Sequence, residues 1–118
     1  MFNITTILIL VFSLLSMTAC AIEPAQIVPE EYRAGQSHFH RVCASCHGRD
    51  AMGGKRAPTF LQEKFDIRNF SNGKIHRTIV NGSDSGAMPS QKRRVSEKEI
   101  REIIKYIRYI QSQAGVVS

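Results

Sequence analysis

The residues best placed to do chemistry are Cys43-Ala-Ser-Cys46-His47, which bring two thiols and an imidazole together in one short run. C-x-x-C-H is the attachment signature of a c-type haem. On a helix three residues make nearly one turn, so both thiols face the same side and each can form a thioether with a haem vinyl group. His47 follows directly and can bring its imidazole under the iron as the proximal ligand. The motif therefore predicts one covalently bound haem c.

Other uses of this motif have weaker support. A thioredoxin-type C-x-x-C expects a strand–helix–strand context, and no run of the sequence alternates for long enough to be a strand. A structural zinc site needs four ligands; His38 and His40 are close, but no second C-x-x-C or H-x-x-x-H is present. A disulfide between Cys43 and Cys46 would close a small, strained loop. Haem attachment is the preferred interpretation.

A six-coordinate iron also needs a distal ligand, and Met88 is the best placed candidate. It lies in the run Ser85-Gly-Ala-Met-Pro89, a loop bounded by Gly and Pro that can lie against a haem face. A Met is more often a filler of core gaps, but this loop has few apolar neighbours. Met52 follows His47 too closely to reach the opposite face. The remaining candidates, each more typical of a surface histidine, are His38, His40 and His76.

Three helices are predicted to position these ligands, and they define an all-α fold. The first starts near residues 29–31, where Pro and two acids suit a helix N-terminus, and runs to about Cys46. The second covers residues 72–81, with Gly82 as its stop. The third begins with the capping box Ser96-x-x-Glu99 and ends near Gly115. Its apolar stripe consists of Ile100, Ile103, Ile104, Ile107 and Ile110.

The first 22 residues carry no charged side chain, and residues 4–15 form an apolar run that is short for a membrane span of about 20 residues. They are typical of an export signal. Residues 17–20 resemble a bacterial lipobox, with Met17 in place of the usual Leu, whereas Ala19-Cys-Ala21 fits A-x-A cleavage, which would remove Cys20. We expect the former: a signal peptide over 1–19 and a lipidated Cys20 as mature N-terminus. Residues 20–31, with two prolines, are then a tether, and 32–118 form the domain.

The chain is basic, with 16 Lys and Arg against 10 Asp and Glu and a formal net charge of +6. This favours acidic partners. Nucleic acid is not predicted, because no helix-turn-helix, zinc finger or aromatic RNA-binding pattern is present. Three cations, Lys92, Arg93 and Arg94, closely follow Met88, and no acid lies between Asp84 and Glu97. They predict a docking surface for an acidic redox partner, with ordinary solvated surface as the alternative.

Everything after the tether resembles a class I c-type cytochrome. Gly35 and Phe39 precede Cys43 where that family places the contact between its first and last helices. Ile103 and Tyr106 stand where the family packs an aliphatic and an aromatic residue against the glycine. The resemblance implies a small class I cytochrome c fold, with three main helices packed around one covalently bound haem.

The resemblance also implies roles around the iron. Met88-Pro89 is similar to the distal methionine motif of the family. Pro58 resembles the proline whose carbonyl accepts the proton on the outer nitrogen of the proximal imidazole, here His47. Many members use a Trp near a haem propionate, and this chain has none. The propionate partners therefore stay open, with four candidates: Arg56, Asn69, Asn81 and Tyr109.

Together these features predict an electron carrier rather than an enzyme. We expect it to shuttle single electrons by outer-sphere transfer through a His/Met-ligated haem, without a small-molecule substrate. The expected location is the periplasm or another extracytoplasmic space, tethered to the membrane through Cys20. Its expected partners are acidic proteins of the oxidase, reductase or peroxidase type. Two alternatives stay open: a haem enzyme or gas sensor with a labile distal site, and a haem subunit of a larger respiratory complex.

Overall fold

A computed structural model describes residues 21–116 of the chain. The predicted signal peptide and Cys20 lie outside this part. The described residues contain helices and no strand, which confirms the all-α class. The elements are α1 (Glu30–Val42), α2 (Ala44–His47), α3 (Asn72–Asn81) and α4 (Glu97–Gln113), with short 3₁₀ turns at Arg49–Ala51 and Glu63–Phe65.

The first predicted helix is divided in the structure. Helix α1 follows Pro29 and carries Glu30 and Glu31 in its first turn, where acids favour a helix N-terminus. It ends at Val42, and Cys43 (φ −102°, ψ −32°) joins it to the single turn of α2. The expected continuous helix to Cys46 is therefore broken at the first cysteine.

Helices α1 and α4 cross at Gly35, as the resemblance implied. A Cβ at Gly35 would collide with the carbonyl of Glu102 and would lie 2.8 Å from Cβ of Tyr106. Beside this contact Phe39 and Tyr106 are fully buried, and their ring centroids are 5.5 Å apart. The absence of a side chain at residue 35 is what allows the two helices to approach this closely.

The α3 and α4 bounds agree with the sequence pattern. Ser71 caps α3 by accepting a bond from Lys74 N, and Gly82 ends it with φ 86°. The capping box of α4 is formed in both directions: Ser96 N donates to Glu99 Oε2 at 2.7 Å, and Glu99 N donates to Ser96 Oγ at 3.3 Å. All five isoleucines of the α4 stripe are buried. Helix α4 therefore supplies the largest share of the core among the helices.

Part of the tether expected over residues 20–31 contacts the domain. Glu30 and Glu31 belong to α1, and Val28 is 3% exposed within the core. Just before it, the backbone N–H groups of Ala25 and Gln26 donate to the buried carboxylate of Asp50. Residues 25–28 are docked because the domain offers them both an apolar pocket and a hydrogen-bond acceptor.

Candidate haem-binding site

The two motif cysteines lie on one helical turn. Cys46 N donates to Cys43 O at 3.2 Å, and neither thiol is in a disulfide. Burial raises the pKa of the Cys43 thiol to about 12, although the positive charges of Arg94 and Arg41 act in the opposite direction. This thiol is therefore protonated at neutral pH, unlike the activated thiolate of a disulfide oxidoreductase.

His47 ends α2 and its ring stacks on Phe60, with centroids 4.5 Å apart and planes at 23°. Burial lowers the pKa of the imidazole, which favours the neutral form that binds a metal. Its Nδ1 is buried and has no hydrogen-bond partner among residues 21–116. The bond to the Pro58 carbonyl that the resemblance implied is thus not formed; in this loop the carbonyl of Ala57 accepts from Gly54 N.

A tight loop fixes the backbone behind His47. Gly53 N donates to His47 O at 2.8 Å, and Gly48 and Gly53 have φ values of 78° and 88°. A Cβ at Gly48 would collide with the Gly53 carbonyl. Further along, Phe60 N donates to Ala51 O at 3.1 Å. The loop thereby holds both the imidazole and the aromatic ring stacked on it.

The two methionines of interest differ in burial. Met88 is half-buried and packs against the hydrophobic core, whereas Met52 is 56% exposed. The Met88 loop is closed by two bonds with Ser83: Ser83 N donates to Met88 O, and Met88 N donates to Ser83 Oγ, each at 2.9 Å. This closure holds Met88 in place at the end of α3.

The three other histidines already have protein partners. His38 lies 3.1 Å from Glu102 Oε2, and His76 lies 2.8 Å from Glu97 Oε2. His40 Nδ1 lies 2.8 Å from the carbonyl of Gln36. Each of these three histidines therefore has a protein partner, and none of them needs an iron to explain its position.

The four candidate propionate partners occupy different surroundings. Asn69 donates to the carbonyl of Glu63 at 3.0 Å. Tyr109 stacks on Tyr32 at 4.2 Å and lines an open groove of about 740 Å³ along α4, which contains neither motif cysteine. Arg56 and Asn81 are exposed, and no side-chain hydrogen bond is formed by either within the described part.

The predicted docking cations are all exposed, and the fold adds a fourth to them. Lys92, Arg93 and Arg94 precede α4. Arg41, on α1, donates to the carbonyl of Arg94 at 3.2 Å and to Glu99 Oε1 at 2.7 Å. Because Arg41 and Arg94 both act on the Cys43 thiol, this surface borders the cysteine motif. Sequence reasoning missed Arg41, since only the packing of α1 beside the α4 N-terminus brings it here.

Sequence reasoning also missed Asp50, which is 2% exposed three residues after His47. Its carboxylate accepts bonds from Ala25 N, Gln26 N and the Tyr106 hydroxyl. A lone aspartate in a polar run carries no pattern that would predict burial.

The residues present fit a covalently held haem. Two free thiols share one turn, and the imidazole of His47 follows them directly. Burial favours the neutral form of this imidazole, which is the form that can bind iron. The histidines elsewhere are engaged, so this constellation is distinct within residues 21–116.

Comparison with known proteins supports the same assignment. The family model described as cytochrome C oxidase, cbb3-type, subunit III matches residues 30–107. No curated protein and no solved structure matches the chain. None of the helices within residues 21–116 has both the length and the apolarity to cross a bilayer. The chain therefore belongs to the cbb3-type cytochrome c oxidase subunit III family and is a monohaem c-type cytochrome that transfers electrons through covalently bound haem c.

Proposed function

We propose that Cys43 and Cys46 hold the haem through thioethers and that His47 and Met88 are its axial ligands. The observation that carries this proposal is the pair of free thiols on one turn beside the neutral imidazole of His47. Met88 is favoured over Met52 by its burial against the core and by its closed loop. Pro58 stays a candidate acceptor for His47, although that bond is not formed in the structure.

Bound haem c supplies a centre that gains or loses one electron. The residues of this chain limit the structural rearrangement that accompanies the change of oxidation state. The imidazole of His47 is held by its loop and by Phe60, and Met88 is held through Ser83, so little rearrangement accompanies electron transfer. A thioether ligand favours the reduced state and raises the potential. The chain therefore acts as a carrier, and no acid–base residue is required.

The basic surface of Lys92, Arg93, Arg94 and Arg41 is the proposed docking site for an acidic redox partner. It is exposed, and the positive charges of Arg94 and Arg41 act on the Cys43 thiol, which supports docking close to the proposed haem attachment. Charge of one sign around a redox centre accelerates encounter with an oppositely charged protein. The partner would be a protein of the oxidase, reductase or peroxidase type.

Reversing Lys92, Arg93 and Arg94 to Glu should slow electron transfer to the physiological partner by at least on the order of tenfold at low salt. The salt dependence of the rate should largely disappear, and the haem spectrum should stay unchanged. Stopped-flow rates at low and high ionic strength measure this. The matched control reverses three cations at the α1 and α4 surface, Arg33, Arg101 and Lys105. Equal rates for the two triple variants would reduce the basic surface to ordinary solvated charge.

Export and lipidation at Cys20 are also proposed, from the sequence alone, since Cys20 lies outside the described residues. In a host with a lipoprotein pathway, Cys20→Ser should move the protein from the membrane fraction to the soluble fraction. Several acyl chains anchor firmly, whereas one binds weakly. Met17→Leu, which restores the usual lipobox residue, should stay membrane-bound. A soluble wild type with Ile22 as its mature N-terminus would instead establish A-x-A cleavage.

The family match favours a second candidate, a haem subunit that stays within a respiratory complex. Both candidates use the same site and differ in how long the partner remains bound. Purification from solubilised membranes separates them. Stable co-elution with an oxidase catalytic subunit at high salt supports the complex, whereas release by salt supports a mobile carrier.

A further inference from the structure

The buried carboxylate of Asp50 has no role in the electron transfer proposed above. Asp50 Oδ2 accepts bonds from Ala25 N at 2.9 Å and Gln26 N at 3.2 Å, and Oδ1 accepts from the Tyr106 hydroxyl at 3.2 Å. A carboxylate taken out of water is costly unless such donors replace the water. Three donors from two distant parts of the chain meet at this one side chain.

We name residues 25–28 the strap. Besides its bonds to Asp50, the strap contacts the domain at further points. Gln36 Nε2 donates to Gln26 O at 2.8 Å, so both backbone groups of Gln26 are bonded to the domain. Val28 then enters the core at 3% exposure. The strap is therefore a packed part of the domain.

His40 completes the cluster beneath Asp50. Asp50 N lies 3.1 Å from His40 Nε2, and His40 Nδ1 lies 2.8 Å from Gln36 O. His40 Nε2 also lies 3.4 Å from Asp50 Oδ1, so the same imidazole contacts both the backbone and the side chain of Asp50.

Asp50 also begins a strained stretch directly behind the proximal histidine. Asp50 and Ala51 have φ values of 52° and 61°, the two positive values at non-glycine residues of the described chain. Such conformations persist only where the surroundings impose them. Ala51 O accepts from Phe60 N, and the Phe60 ring stacks on His47. A continuous series of contacts therefore runs from the strap through Asp50 to the imidazole.

We propose that Asp50 is a positioning residue for His47 and that the strap locks it. This inference rests on the proposed role of His47 as iron ligand. Releasing the strap frees Asp50 to relax its backbone, which loosens Phe60 and the imidazole and admits water to the proximal side. Greater exposure stabilises the oxidised iron, so the midpoint potential falls.

Two substitutions at residue 50 separate the carboxylate from the backbone strain. Asp50→Gly keeps the left-handed φ without cost but removes the acceptor. Asp50→Asn keeps both the left-handed tendency and one acceptor oxygen. In holoprotein with full covalent haem, the potential should fall clearly for Asp50→Gly and less for Asp50→Asn. Asp66→Asn, at a carboxylate that is 1% exposed and bonded to Arg68, should lower stability without moving the potential.

A second pair of variants tests the strap itself. Gln26→Pro removes the N–H that Asp50 accepts, whereas Gln26→Ala keeps it. The proline variant should reproduce the fall in potential, with a shifted Soret band, and the alanine variant should match the wild type.

A wild-type potential in Asp50→Gly, or in a folded Gln26→Pro, would overturn the positioning role. If Asp50→Gly does not fold, Gln26→Pro decides. A potential that falls as far in Asp66→Asn as in Asp50→Gly would also overturn it, since general destabilisation would then suffice. Failure of the ligand assignment is recognised separately, because His47→Ala would then keep the wild-type spectrum.

Discussion

Replacing Cys43 or Cys46 with alanine should leave only a small fraction of the covalent haem, and replacing both should leave none. Each thiol supplies one of the two proposed thioethers, and the pair on one turn fixes the geometry of both bonds. A domain of this size buries a modest share of its surface, so loss of the cofactor should also reduce the folded fraction. The measurement is haem staining in a denaturing gel, normalised to protein.

Ser45→Ala is the matched control for the cysteine variants. Ser45 lies between the cysteines on the same turn and is exposed. It should keep full haem staining. Full staining in the double cysteine variant would contradict the attachment site, and it would do so without reference to the axial ligands.

Met88→Ala should lower the midpoint potential strongly and convert the iron to a high-spin, water-ligated or histidine-ligated state. The proposed thioether ligand favours the reduced state, so its loss should shift the equilibrium towards the oxidised iron. The weak near-infrared sulfur-to-iron band of the oxidised protein should disappear with it. Potentiometry and the near-infrared spectrum together measure this.

Met52→Ala is the control for the distal ligand, because its side chain is 56% exposed and outside the core. It should keep the potential and the near-infrared band. If the two methionine variants exchange behaviours, Met52 is the ligand. If the wild type itself lacks the band, the distal site is open or labile, as in a haem enzyme or gas sensor.

Helix positions were largely predictable because they depend on neighbours in the sequence. The capping box at Ser96 and Glu99 and the isoleucine stripe of α4 are local patterns, and both are formed. The end of α3 at Gly82 and the start of α1 after Pro29 also depend on local residues. The break at Cys43 was not predicted, because the residues around Cys43 include neither Pro nor Gly.

The Pro58 contact shows what a resemblance can miss. Whether a carbonyl reaches His47 Nδ1 depends on the path of the loop, and here Nδ1 is unpartnered while the carbonyl of Ala57 accepts from Gly54 N. Arg41 shows the opposite case. Its place beside Arg94 depends on how α1 packs against the start of α4, which no sequence spacing encodes.

The sequence by itself determined the chemistry of this protein, because two thiols and an imidazole at fixed spacing admit few uses, and the family match agrees with haem c. It also determined the helices through caps and periodicity. Only the tertiary structure decided that residues 25–28 are a docked strap, that Asp50 is buried, and that the fold joins them to the loop behind His47. The physical reason is that a buried polar group is stable only where distant segments supply its hydrogen bonds, and their meeting is a property of the packed chain.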